Sequence, residues 1–277
     1  MSYTQVVKIS SRSVSHTIPL RTKKFVWHFL NVSIKPANVG FLLTLGAVKK
    51  VPIEIKSSYL PHMNEKSSKI VKELDRVILK IESKRYWPAN YKIRFIDGMS
   101  GQSFRGLLSL LFANNSKSYL EIGTWKGSTF CSAINGNVVE ATCIDDWSQF
   151  GATTRVAIKN IGRLAGDKNK ISIVTQDFRE FSFSHFLQND TDVYFYDGPH
   201  SEKDHYDATQ VIDKLNFKSL LFIVDDWNWD NVRQGTFRGL NSLGLRIAGM
   251  IEIFPTTSAV GRRSRWHNGY AFFVLER

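Results

Sequence analysis

Two periodicities divide the chain. From Asn64, a helix-capping residue type, Ile70, Leu74, Val77, Ile78 and Ile81 recur at helical spacing with Lys, Glu and Arg between them. That spacing predicts an amphipathic helix ended by Tyr86-Trp87-Pro88, its apolar stripe packed on the domain that follows. After a turn at Asp97–Gly101, Phe104, Leu107, Leu108, Leu110 and Leu111 make a short apolar helix. Short apolar runs then take over as strands: 118–122, 138–144, 171–175, 193–196 and 220–224, with helical segments at 152–164 and 206–215. Strands alternating with helices mean βαβ units, hence an α/β fold with a parallel sheet covered by helices on both faces. Ile247–Phe254, a Gly/Arg/Ser loop and Tyr270–Leu275 read as an antiparallel hairpin closing the sheet.

The first sixty residues lack this order. Mixed periodicity, scattered Ser and Thr and four prolines up to Pro61 leave this stretch without an assigned function. We divide the chain into a basic N-terminal extension, 1–60, and a domain at 61–277. The extension is expected to be a basic arm or substrate-covering layer, its first twenty residues disordered. No secretory pattern opens the chain, and Phe25–Val48 carries too many polar residues to span a bilayer. Two cysteines, Cys131 and Cys143, outside any C-x-x-C pair, predict neither a disulfide framework nor a zinc site and suit the cytoplasm.

Charge separates the segments further. The net +12 is made of +8 over residues 1–60, +6 over 61–118, −7 over 119–230 and +5 beyond. A basic surface suits anionic partners such as nucleic acid, phosphorylated sugars or a membrane face. The acidic middle matters more, because the acids follow the apolar runs. Glu121, Asp145-Asp146, Asp177, Asp197 and Asp225-Asp226 each stand at a strand end. In such sheets, ligands lie beyond the carboxyl ends of the strands, where the strand order switches.

The stretch Ser118–Ser128, SYLEIGTWKGS, is the first of these ends. Gly123 and Gly127 break the strand into a turn that opens a helix, a loop through which backbone N–H groups approach a nucleotide-like ligand. Glu121 there can meet a cation or a hydroxyl. G-x-x-x-G with Trp125 at its centre is not the dinucleotide fingerprint, and a tight turn without a ligand is the alternative.

Together LEIGTWKGST, CIDDW, FYDGPHS and IVDDWNW resemble the class I S-adenosylmethionine-dependent methyltransferases over residues 100–277. Within that class they are most similar to the small-molecule O-methyltransferase group that includes macrocin O-methyltransferase, cephalosporin hydroxylase-type proteins and catechol O-methyltransferase. The resemblance implies a Rossmann-like seven-stranded, mostly parallel sheet with a C-terminal antiparallel hairpin. It implies S-adenosylmethionine held by Glu121, Gly123, Thr124, Gly127 and Ser128 around its amino-acid part. Asp145, with Asp146 second to it, would take the ribose hydroxyls, and Asp177 the adenine amino group, with Trp147 against the ring. For Asp177 a helix cap is the alternative.

Asp197, Asp225 and Asp226 match the positions where this group holds a divalent metal, and an all-oxygen set suits Mg²⁺. His200, three residues after Asp197, is the candidate general base, a side-chain type able to take a proton near neutral pH, with Asp197 as the other catalytic candidate. Trp227, Trp229 and Arg233 would border the acceptor, and Arg262, Arg263 and Arg265 would hold an anionic group on it. The expected activity is O-methylation of a small-molecule or sugar hydroxyl, Mg²⁺-assisted. A nucleic-acid methyltransferase or binder and an inactive interaction module are the alternatives. Oligomeric state, homo-oligomer included, is open.

Overall fold

A computed structural model describes residues 5–9, 53–83, 91–113, 117–137, 139–151, 154–255 and 265–277. The residues expected to end the first helix, Tyr86-Trp87-Pro88, most of the proposed disordered start, and Arg262 and Arg263 lie outside the described residues.

The elements are β1 (Gln5–Ile9), β2 (Ile53–Tyr59), α1 (Glu65–Glu82), α2 (Tyr91–Arg94), α3 (Gln102–Leu111), β3 (Lys117–Ile122), α4 (Ser128–Ile134), β4 (Val139–Asp145), α5 (Thr154–Leu164), β5 (Lys170–Thr175), α6 (Ser184–Gln188), β6 (Val193–Tyr196), α7 (Glu202–Gln210), β7 (Ser219–Val224), α8 (Asp230–Leu243), β8 (Arg246–Pro255) and β9 (Tyr270–Glu276). A single 3₁₀ turn, Val211–Lys214, continues α7. The strands form one sheet in the order β1-β5-β4-β3-β6-β7-β9-β8-β2. Strands β3 to β7 run parallel, and β9 is antiparallel between β7 and β8. The α/β class and the closing hairpin are as the sequence predicts.

The sheet has nine strands where seven were expected. The extension supplies the other two: β1 lies antiparallel on β5 at one edge and β2 antiparallel on β8 at the other. Residues 5–9 are therefore strand within a stretch expected to be disordered. Each extra strand pairs with one edge of the sheet, where backbone N–H and C=O groups would otherwise go unpaired.

Period-two alternation divides the core between the two faces of the sheet. Tyr119, Cys143, Ile173, Phe195 and Ile223 pack under α1, α3, α4 and α5. Leu120, Ile122, Ile144, Tyr194 and Phe222 pack under α6, α7 and α8. Asn64 caps α1 as expected, its side chain accepting from the Ser67 N–H. Helix α7 begins four residues before its predicted start because Ser201 and Asp204 form a reciprocal capping box. Helix α8 was not predicted. Gly235 and Gly239 weaken its helical signature, yet a Cβ at either would strike α7, 2.1 Å from the Glu202 carbonyl oxygen or 1.6 Å from Thr209 Oγ1. Bare backbone is what brings the two helices together.

Candidate functional site

The chain leaves β3 for β4 and β5 on one side and returns to β6 on the other. The loops after β3 and β6 therefore part at the switch in strand order, and a cleft opens between them. It holds about 650 Å³, open mouth included, and is lined by Gly123, Thr124, Trp125, Ser128 and Thr129, by Asp145, Asp146, Gln149 and Phe150, by Asp197 to His200, and by Met99. Loop meets loop closely here: a Cβ on Gly123, whose φ is +88°, would lie 1.9 Å from the Asp197 carbonyl oxygen. Gly127, at φ +82°, is the left-handed residue that caps α4. Its Cβ would face Ile161 at 3.5 Å, so conformation and not ligand approach is what calls for glycine there, and Gly127 is absent from the lining.

Glu121 is also outside the lining. Strand periodicity turns it to the same face as Tyr119, where it is fully buried and accepts from Tyr119 Oη at 2.5 Å and Thr129 Oγ1 at 2.9 Å. Burial pushes its carboxyl up to about 7, against the pull of those hydroxyls. It braces the floor of the loop where a ligand contact was expected. Asp145 does line the cleft. Its Oδ2 accepts from the Thr124 and Trp125 N–H groups at 2.8 and 2.7 Å, and its Oδ1 from the Trp147 N–H at 2.7 Å. Burial raises its carboxyl while those N–H groups hold it down. Asp145 thus shapes the glycine loop, and Asp146, exposed beside it, accepts from Ser148.

Two residues expected to meet the ligand lie away from the cleft lining. Asp177 does not reach the cleft: it caps the turn after β5, accepting from the Arg179 N–H at 2.9 Å and pairing with that guanidinium. Trp147 is turned away, its Nε1 donating to the Trp125 carbonyl at 2.7 Å while its ring packs on the core. The aromatic ring at the cleft is Phe150, 61% exposed and edge-on to Trp125. Arg265 is likewise committed, forked onto the buried Glu82 carboxylate of α1, to which Trp266 Nε1 also donates.

At the far end of the cleft the acids converge. Asp225 is buried and Asp197 half-buried at the cleft wall, and both are held well above the usual carboxylate range, first by desolvation and then by neighbouring acids. The Asp225 Oδ1 accepts the Asp226 N–H at 2.8 Å. Asp226 turns to His200, whose Nε2 lies 3.2 Å from its Oδ2, while Asn268 Nδ2 donates to its Oδ1 at 2.6 Å. Trp229 stands edge-on to the His200 ring, centroids 5.1 Å apart. As a donor set, two desolvated carboxylates on adjacent strand ends fit a hard divalent cation, whose charge would relieve the clash that raises them. Among the described residues, however, no three His, Cys, Asp or Glu side chains converge as a metal cage.

Backbone strain marks the same place. The five non-glycine residues with positive φ among the described residues are Trp125, Trp147, Phe150, Asp226 and His267. Trp125 and Phe150 line the cleft, Trp147 donates to Asp145, Asp226 faces His200, and His267 precedes Asn268. Bulky residues at positive φ cost of order 1–3 kcal/mol each and gather at functional sites.

Sequence reasoning missed Met99, Phe150, Asn268 and the buried Arg105. The guanidinium of Arg105 donates to Ser100 Oγ and to the Ile93, Ile96 and Gly98 carbonyls, which ties down the turn that carries Met99. An arginine on the apolar face of FRGLLSLL was the signal available for it.

Residues 120–227 match the model of a methyltransferase domain. No curated protein sequence matches the chain. Among solved structures, the chain is similar to cofactor-bound Rv0187 from MTB, at 17% identity over 79% of this chain and 92% of that one, TM-score 0.45. It is similar to the O-methyltransferase from Bacillus cereus in complex with SAH, at 14% identity over 78% and 93%, TM-score 0.41. A third is TrmN from Thermus thermophilus, at 14% identity over 62% and 48%, TM-score 0.41. Likeness at these identities concerns the course of the chain alone.

Proposed function

We propose that the protein is an S-adenosylmethionine-dependent O-methyltransferase acting on a hydroxyl of a small molecule or sugar, assisted by Mg²⁺, a reading supported by the match of residues 120–227 to a methyltransferase domain model and by the strand order of the sheet. The observation that carries the reading is the acid-lined cleft at the switch in strand order, whose wall includes two strained non-glycine residues, Trp125 and Phe150. Asp145 and Asp146 offer acceptors for a ribose diol, Phe150 a face for a base ring, and Ser128 and Thr129 hydroxyls for the amino-acid portion. Carboxylates along the wall favour a sulfonium cation. When bound, the cofactor supplies an electrophilic methyl group.

The chain's own work is to bring an oxygen in line with that methyl group and to take its proton. His200 is the base. With Nε2–H donated to Asp226, the neutral ring keeps Nδ1 as its acceptor. Asp197 and Asp225 would hold Mg²⁺, which when bound lowers the pKa of a coordinated hydroxyl. Asp226, turned to His200, orients the base.

Calorimetry with the demethylated cofactor, followed by a mass-spectrometric screen of hydroxyl compounds for methyl gain, tests this. Loss of transfer on chelation and its return with Mg²⁺ are expected, with weaker metal binding in Asp225→Asn. Failure to bind the cofactor refutes the reading. Transfer confined to RNA, which a net charge of +12 would attract, would replace the acceptor class. Full activity after exhaustive chelation would remove the metal.

A further inference from the structure

We propose that Asn268 is a positioning residue that sets the polarity of the hydrogen-bond chain Asn268–Asp226–His200, and through it the tautomer of His200. The geometry is direct. Asn268 Nδ2 lies 2.6 Å from Asp226 Oδ1, and Asp226 Oδ2 lies 3.2 Å from His200 Nε2. An amide oxygen that close to a carboxylate oxygen would be repelled, so the amide nitrogen must face Asp226. The carboxylate can only accept, from Asn268 on one side and from the imidazole on the other. His200 is thereby held with its proton on Nε2 and its lone pair on Nδ1.

Neither end of this chain is loose. The Asn268 carbonyl accepts the Asn228 N–H at 2.9 Å, and the Gly269 carbonyl the Trp227 N–H at 3.2 Å, so the loop before β9 is sewn to the turn after β7. On its other side the loop is anchored to α1, since Arg265 and Trp266 both donate to Glu82. Asp226 itself sits at φ +54°, a conformation that aspartate tolerates at a cost. Beside it, the acidic pair of Asp225 and Asp197 repels a further carboxylate. Asn268 supplies the donor that keeps Asp226 aimed at His200 in spite of them. The serine-protease triad obeys the same rule, in which a carboxylate fixes an imidazole tautomer and its amide replacement yields the wrong one.

The test is to read the His200 tautomer by long-range ¹H–¹⁵N correlation on the full chain labelled at histidine nitrogens, its signals identified by their absence in His200→Gln. The wild-type protein should show Nε2–H with a slowly exchanging proton. In Asp226→Asn, Asn268 should hold the new amide by its oxygen and turn its nitrogen toward His200, so that the tautomer inverts to Nδ1–H. Adding Asn268→Ala to that variant frees the amide to flip and should return His200 to Nε2–H. Asn268→Ala alone should lose the slow exchange of the Nε2 proton. Asp226→Asn is isosteric and carries the test even if the loop variant does not fold. Retention of Nε2–H in Asp226→Asn, or inversion that survives in the double variant, overturns the proposal. It rests on His200 as the base only for its consequence: if His200→Gln transfers methyl groups as fast as wild type while the tautomers behave as stated, the base assignment fails and the orienting chain stands.

Discussion

Replacing Gly123 by alanine should damage both stability and cofactor binding, whereas the same change at Gly127 should touch only stability. A Cβ at residue 123 would lie 1.9 Å from the Asp197 carbonyl oxygen, and real contacts of this kind stay above 3.0 Å, so the loops after β3 and β6 must part by at least about 1.1 Å. Both partners are backbone at the sheet's centre and cannot rotate away. Forcing such an overlap costs of order 1–3 kcal/mol, and a side chain at φ +88° adds about 1–2 kcal/mol. The loss for Gly123→Ala should therefore be about 2–5 kcal/mol by urea denaturation. Gly123 and Asp197 also face each other across the cleft, so the affinity for the demethylated cofactor should fall at least about tenfold, or about 1.4 kcal/mol. At Gly127 the new methyl would meet Ile161 at an ordinary 3.5 Å, which leaves only the conformational cost of about 1–2 kcal/mol and an unchanged affinity. If Gly123→Ala proves as mild as Gly127→Ala on both measurements, the close approach of the two loops is not what shapes the site.

The buried Glu121 should make stability fall as pH rises. Its folded-state carboxyl lies at about 7 against an ordinary 4.5, so between those values the native state binds the proton that the unfolded chain releases. That window is worth up to about 3 kcal/mol, and thermal unfolding followed from pH 5 to 8 should lose this slope in Glu121→Gln. Phe150→Ala should leave the melting temperature nearly unchanged, since the ring is 61% exposed, yet weaken cofactor binding by about 1–2 kcal/mol if the ring stacks on the base; calorimetry reads both outcomes. Arg265→Ser removes the guanidinium from the buried Glu82 carboxylate, and leaving that charge with Trp266 alone should cost about 3–5 kcal/mol. Cofactor affinity in that variant should stay at its wild-type value.

The sheet was legible because each parallel strand is a short apolar run closed by an acid, a local pattern that burial on both faces imposes. Strand ends and helix caps such as Asn64 followed for the same reason. What stayed hidden depends on direction. Glu121 and Asp145 stand at strand ends alike, but the strand's alternation turns one onto Tyr119 inside the protein while the other opens onto the cleft. Trp147 was expected at the cleft, yet Phe150, three positions on, stands in its lining, because local backbone at positive φ aims each ring. Asn268 and Asp226 are 42 positions apart, and no spacing rule joins them. Helix α8 was hidden by its own glycines, whose purpose appears only once α7 lies against them.

The two edge strands impose an order on synthesis. Strand β1 pairs with residues up to Thr175, and β2 with residues up to Pro255. Both leave the ribosome long before their partners exist, so neither can dock when made. The parallel centre must form first, with bare edges, while the two future edge strands wait in the nascent chain. Late, long-range closure of this kind is slow and leaves strand edges open to foreign pairing. The earliest-made strands of the sheet are thus the last to be set in it.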